Sequence, residues 1–61
     1  MNSTNPLYRY TIFDDNSDEV TSVIAEQCDT DGTVLVFSTG TVLDLVFNLG
    51  PGYSMIQEDV D

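Results

Sequence analysis

"DDNSDEVTSVIAEQC", residues 14–28, decides how this chain is to be folded. Val20, Val23, Ile24 and Cys28 recur at three- and four-residue spacing, which lines them along one stripe of a helix. Asn16 or Ser17 stands where an N-cap belongs, and Glu19 follows Asn16 by three residues, a relative of the capping box. Asp18 and Glu19 then occupy the first turn, at the positive end of the helix dipole. At about 100° per residue, Asp18, Glu19, Ser22 and Glu26 fall opposite the apolar stripe. The segment is expected to be a helix that turns its acids outward as a group.

The flanks read differently. Upstream, "LYRYTIF" (7–13) alternates, with Tyr8, Tyr10 and Ile12 on one face, and its aromatic and β-branched content argues for a strand. Downstream, "DTDG" (29–32) reads as the turn that ends the helix. Two β-rich runs follow, joined through "STGT" with Thr39-Gly40 at the centre of a hairpin. In the second run Leu43, Leu45, Phe47 and Leu49 alternate with Val42, Asp44, Val46 and Asn48. A rival helix over 41–49 has a capping-box-like Thr41-x-x-Asp44 and a "NLGPG" stop. The unbroken alternation favours the strand. "GPG" turns the chain again, and "YSMIQ" makes a last edge strand. The sum is β-α-β-β-β, an α+β fold in which one helix packs on a small antiparallel-rich sheet. It forms a single domain over 1–61, with residues 1–6 and 58–61 expected to fray.

Composition narrows the chemistry. Eleven carboxylates face one arginine, there is no lysine or histidine, and the formal net charge is −10. Without histidine no side chain has an unperturbed pKa near neutrality, so acid–base catalysis needs a strongly shifted carboxylate. A domain of this size buries only about 60% of its unfolded surface, which leaves little room for a shielded active site. No enzyme and no cofactor are expected. The one cysteine, Cys28, cannot form an intramolecular disulfide, which favours a reducing compartment, taken as the cytoplasm of a bacterial host cell. "MNSTNPLYRY" has neither the basic start nor the apolar stretch of a signal peptide.

Two motifs have both a functional and a plainer reading. "DTDGT" (29–33) resembles the first motif of the haloacid dehalogenase-type phosphatases, in which the first aspartate attacks and the second shuttles a proton beside magnesium. That resemblance also implies a doubly wound sheet and a downstream lysine, and this chain has no lysine. Turn chemistry explains the motif more simply. In "DDNSDE", Asp14, Asn16 and Asp18 match the first ligand positions of a calcium-binding EF-hand loop. Glu19 stands where its glycine belongs and Ala25 where its bidentate glutamate belongs, so no metal site is assigned.

The acids themselves suggest a use. Duplex DNA displays about one charge per 1.7 Å of axis, and its binding proteins hold it in lysine and arginine grooves. A small rigid domain with ranked carboxylates can occupy such a groove, gaining counterion release and electrostatic steering. The expected contact residues are Asp14, Asp15, Asp18, Glu19, Glu26, Asp29 and Asp31. In size, charge and expected layout the chain resembles the phage-encoded DNA-mimic inhibitors of bacterial defence, including the anti-CRISPR proteins. That resemblance implies a non-enzymatic inhibitor of a type I surveillance complex, type I-C in the closest case, that blocks DNA recruitment on a basic Cascade surface. The expected partner is thus a basic nucleic-acid-binding protein, with no direct contact to nucleic acid or membrane, and a monomer is expected. The competing reading is an acidic accessory domain adapted to salt. Most of the aromatics are assigned to packing, with Tyr53 the candidate for an interface, and Arg9 to a local carboxylate.

Overall fold

The stretch from Asp14 to Cys28 does not coil. The computed structural model describes residues 6–60, and among them every regular element is a strand. These are β1 (Tyr8–Phe13), β2 (Glu19–Ala25), β3 (Gln27–Asp31), β4 (Val34–Thr39), β5 (Val42–Asn48) and β6 (Ser54–Asp59). They make two three-stranded antiparallel sheets, ordered β2-β1-β6 and β3-β4-β5. The α+β expectation is therefore corrected to an all-β fold.

The physical reason lies in β2 and its neighbours. Val20, Thr21, Val23 and Ile24 are β-branched, lose rotamer freedom in a helix and suit a pleated surface. The apparent helical spacing arises because β2 is apolar on both faces and the chain changes sheet after it. In the β1–β2 ladder Ile12 pairs with Thr21 and Phe13 with Glu19, so Val20 is a bulge. At Glu26 the chain then leaves one sheet for the other. Of the supposed helical stripe, Val23 and Cys28 do pack on the core, whereas Val20 and Ile24 are 44% and 45% exposed. The expected turn at 29–32 also moves, since Asp29–Asp31 belong to β3 and the reversal is Gly32-Thr33.

The β1–β2 loop takes over the work assigned to a helix cap. The Asp14 carboxylate accepts from the backbone N–H groups of Asn16 (2.8 Å) and Asp18 (3.0 Å). Asp14 N donates to Asp18 O at 2.9 Å, and Ser17 N donates to Asp14 O at 3.0 Å. This is a turn closed by an Asx side chain and completed by Ser17 in the left-handed region, φ 69°. Asp14→Ala is expected to cost about 1–2 kcal/mol, because two exposed hydrogen bonds are lost. Ser17→Gly is expected to gain about 0.5 kcal/mol, its relief of the left-handed strain partly offset by glycine's entropy. Urea midpoints with unchanged m-values check both; a neutral Asp14→Ala would show that the loop does not depend on that carboxylate.

β4 and β6 follow their alternation, whereas β5 is interrupted by a bulge at Asp44, since Phe37 pairs with Leu45 and Ser38 with Leu43. β4 and β5 form the expected hairpin, and 42–48 is a strand rather than a helix. Its two-residue loop is Gly40-Thr41, one residue later than expected, because Thr39 still pairs with Val42. Gly40, at φ 60°, holds the first loop position as in a type II′ turn. β6 pairs along β1 through Asp59, so Glu58 and Asp59 lie in the sheet rather than in a fraying tail. Residues 1–5 and 61 fall outside the described residues.

The core sits where the two sheets overlap. Tyr10 and Ile12 from β1 and Ala25 from β2 meet Leu35 and Phe37 from β4, all buried. The Tyr10 and Phe37 rings, one from each sheet, lie 5.1 Å apart. Val23, Cys28, Leu45, Phe47, Leu49, Tyr53 and Met55 close its margins. The molecule measures 44 × 23 × 13 Å, and its 12.3 Å radius of gyration exceeds the roughly 10 Å of a compact domain this size. It is an elongated, thin sandwich with long edges. No helix among the described residues is long and apolar enough to cross a membrane.

Candidate functional site: an acidic edge

β2 and β3 follow one another with only Glu26 between them, and each is an edge strand of its sheet. Residues 19–31 thus form one border shared by both sheets, about 40 Å of extended chain at 3.3 Å per residue. All seven nominated acids lie on this border or in the loop that leads into it. Asp15 and Asp18 are exposed in the β1–β2 loop, Glu19 opens β2, and Asp29 and Asp31 are exposed on β3. Asp29 and Asp31 are two residues apart and opposite Val36 and Val34 of β4, which puts both on the outer face of the second sheet.

Two of the seven have internal tasks. Asp14 is half-buried and closes its loop. Glu26 is half-buried at the bend: its backbone N donates to Ser38 O at 3.1 Å, and its carboxylate accepts from Gly40 N at 2.7 Å. The side chain thus ties the bend between sheets to the β4–β5 turn. Asp29 keeps a long contact from Gln27 Nε2 (3.4 Å), too weak to fix it. The helix face on which these acids were expected to gather does not exist. They are strung along a border instead.

The other candidate groups resolve as structure. Asp44 accepts from Thr39 Oγ1 at 2.6 Å. Glu58 is the cross-strand neighbour of Arg9 on β6, the opposite border of the first sheet from β2. Tyr53 packs on the core margin, its ring 6.4 Å from that of Phe47. Burial raises the Cys28 thiol pKa above its ordinary value, and the Asp29 carboxylate adds to the shift, which keeps the thiol protonated and a poor nucleophile. Asp29 and Asp31 of the phosphatase-like motif sit on an open sheet face, with exposed Thr30 between them. Among the described residues no three carboxylate or thiol groups converge as metal ligands.

Comparison of the chain with protein-family models, curated proteins and solved structures found no match. The site therefore rests on its own geometry.

One feature escaped the sequence reading. Val42, Leu43 and Val46 of β5 are 59%, 61% and 53% exposed, the three most exposed large hydrophobics among the described residues. Alternation identified the strand but not which border it would form. The available signal was the second face of the run, Val42, Asp44, Val46 and Asn48, which is too apolar for a face turned to water.

Proposed function

We propose that this chain is a non-enzymatic acidic binding protein that occupies the nucleic-acid surface of a basic partner, as a DNA mimic does. A CRISPR surveillance complex is the type of partner the resemblance implies, which would put its action in the cytoplasm of a bacterial host cell. The observation that carries this reading is the border itself. Asp15, Asp18, Glu19, Asp29 and Asp31 are exposed along one continuous edge, and the chain's only lysine or arginine, Arg9, lies on β1 opposite Glu58 of the far border. Neighbouring carboxylates on β3 stand about 6.6 Å apart, a spacing that a lysine- and arginine-lined groove can follow.

A second reading has its own support, because acids lie on the edge strands β2, β3 and β6. Charged residues on edges discourage strand-to-strand aggregation. Charge reversal separates the two. Lysine guards an edge as well as aspartate does, so the double change Asp29→Lys, Asp31→Lys leaves an edge-guarding protein undisturbed. A phosphate mimic loses its partner. The expected result is at least about a tenfold loss in competition against labelled duplex DNA for a type I surveillance complex, with the parent's affinity falling steeply as salt rises. Glu58→Lys, on the far border, is expected to change little. A folded double variant that competes as well as the parent would sink the mimic reading. A parent that competes with no DNA and unfolds as salt is withdrawn would point to salt adaptation instead.

A further inference from the structure

We propose that a second copy of this chain docks on β5, joining two β3-β4-β5 sheets into one six-stranded antiparallel sheet across a two-fold axis at Val46. The proposal is independent of what the acidic border binds, and it replaces the monomer expected from sequence.

β5 is the unguarded edge of the molecule. It pairs with β4 on one side only, so its other side presents an unpaired row of backbone donors and acceptors. The edge strands β2, β3 and β6 carry free acids, whereas the single acid of β5, Asp44, is held by Thr39. β5 also carries the most exposed aliphatic side chains, Val42, Leu43 and Val46. An open edge bearing apolar side chains and a single carboxylate, Asp44, is a template for another strand.

Charge and register select a second copy as the occupant. With a net charge of −10, two copies can approach only by their least charged surfaces. Association through β5 meets that need, since the β3 acids lie at the other edge of the same sheet. Both carboxylate borders then stand at the outer margins of the joined sheet.

An antiparallel pair of identical strands must be self-complementary about its axis. A two-fold at Asp44 would set carboxylate against carboxylate, which repels. A two-fold at Val46 sets Val46 on its own copy and Leu45 opposite Phe47, and brings the bulged Asp44 to the side of Asn48. Thr33 Oγ1 donates to Asn48 Oδ1 at 2.8 Å, which fixes that amide and leaves its Nδ2 hydrogens to donate to the partner's carboxylate.

Sedimentation velocity over a concentration series tests this, at an ionic strength that shortens the Debye length to about 8 Å. The parent is expected to move from 6.7 kDa toward twice that mass as concentration rises. Val46→Lys, at an exposed position, is expected to keep the parent's circular dichroism and stay monomeric at every concentration. In a Cys28→Ser background, Val46→Cys is expected to form a disulfide-linked dimer faster than Asn48→Cys, because only position 46 meets itself at the axis. A parent that remains monomeric throughout would overturn the proposal, leaving β5 to a different protein or to none. So would a Val46→Lys variant that still dimerises, or equal cross-linking at positions 46 and 48.

Discussion

Phe37→Ala is expected to leave the chain largely unfolded at room temperature. Phe37 is fully buried on the middle strand of the second sheet, and its ring meets Tyr10 of the first. Truncating a buried phenylalanine costs about 3–5 kcal/mol, since the lost transfer energy adds to the cavity left behind. At 0.05–0.15 kcal/mol per residue a chain of this length has roughly 3–9 kcal/mol in total, and Cys28 has no cysteine partner with which to staple it. The loss therefore spans most of the available stability. Urea melts followed by circular dichroism give the comparison, with Ser22→Ala as a control expected within about 0.5 kcal/mol of the parent because that side chain is exposed. A Phe37→Ala protein within about 1 kcal/mol of the parent would mean that the two sheets do not depend on a common core.

Gly52→Ala is expected to destabilise by about 2–3 kcal/mol, from two separable causes. Gly50-Pro51-Gly52-Tyr53 is a turn closed by Tyr53 N donating to Gly50 O at 3.2 Å, with proline and glycine in the two central places that a type II turn gives them. Gly52 has φ 80°, which an alanine adopts at a cost of roughly 1–2 kcal/mol. An added Cβ would also lie 2.9 Å from Asp15 Cβ, so the β1–β2 loop has to shift. Gly40→Ala shows the cost of a positive-φ alanine with no neighbour, because its φ is 60° and nothing lies within 4 Å of the added atom. The excess cost of Gly52→Ala in the parent over its cost in an Asp15→Gly background measures the Asp15 contact. Equal costs would show that the acidic loop does not rest against this turn.

Where hydrophobic alternation runs unbroken, the chain could be read directly. Tyr8, Tyr10 and Ile12 share the inner face of β1 as their spacing implies, and β4 and β6 lie where their patterns put them, whereas in β5 a bulge at Asp44 takes Leu43 off the face assigned to it with Leu45 and Phe47. The misread segment has two interruptions that no periodicity rule anticipates, the bulge at Val20 and the change of sheet at Glu26. Outward Val20 and Ile24 interleave with inward Val23 and Cys28, and the four together imitate three-and-four spacing. The β-branched run in β2 was the contrary signal, outweighed by an acidic cluster that suited a helix start equally well. At the site, composition counts the carboxylates but does not place them. It could not separate Asp14 and Glu26 from the rest, because Glu26 is engaged by a backbone N–H fourteen residues away.

The junction at Glu26 also fixes what this chain can tolerate by insertion or deletion. Upstream of it, Val23 and Ala25 point inward; downstream, Cys28 does so while Asp29 and Asp31 point out. One amino acid added or removed there would exchange the two sides of β3, driving both aspartates toward Phe37 and the thiol into water. The acid border can therefore drift in residue type, but its length at this point is locked to the pleat.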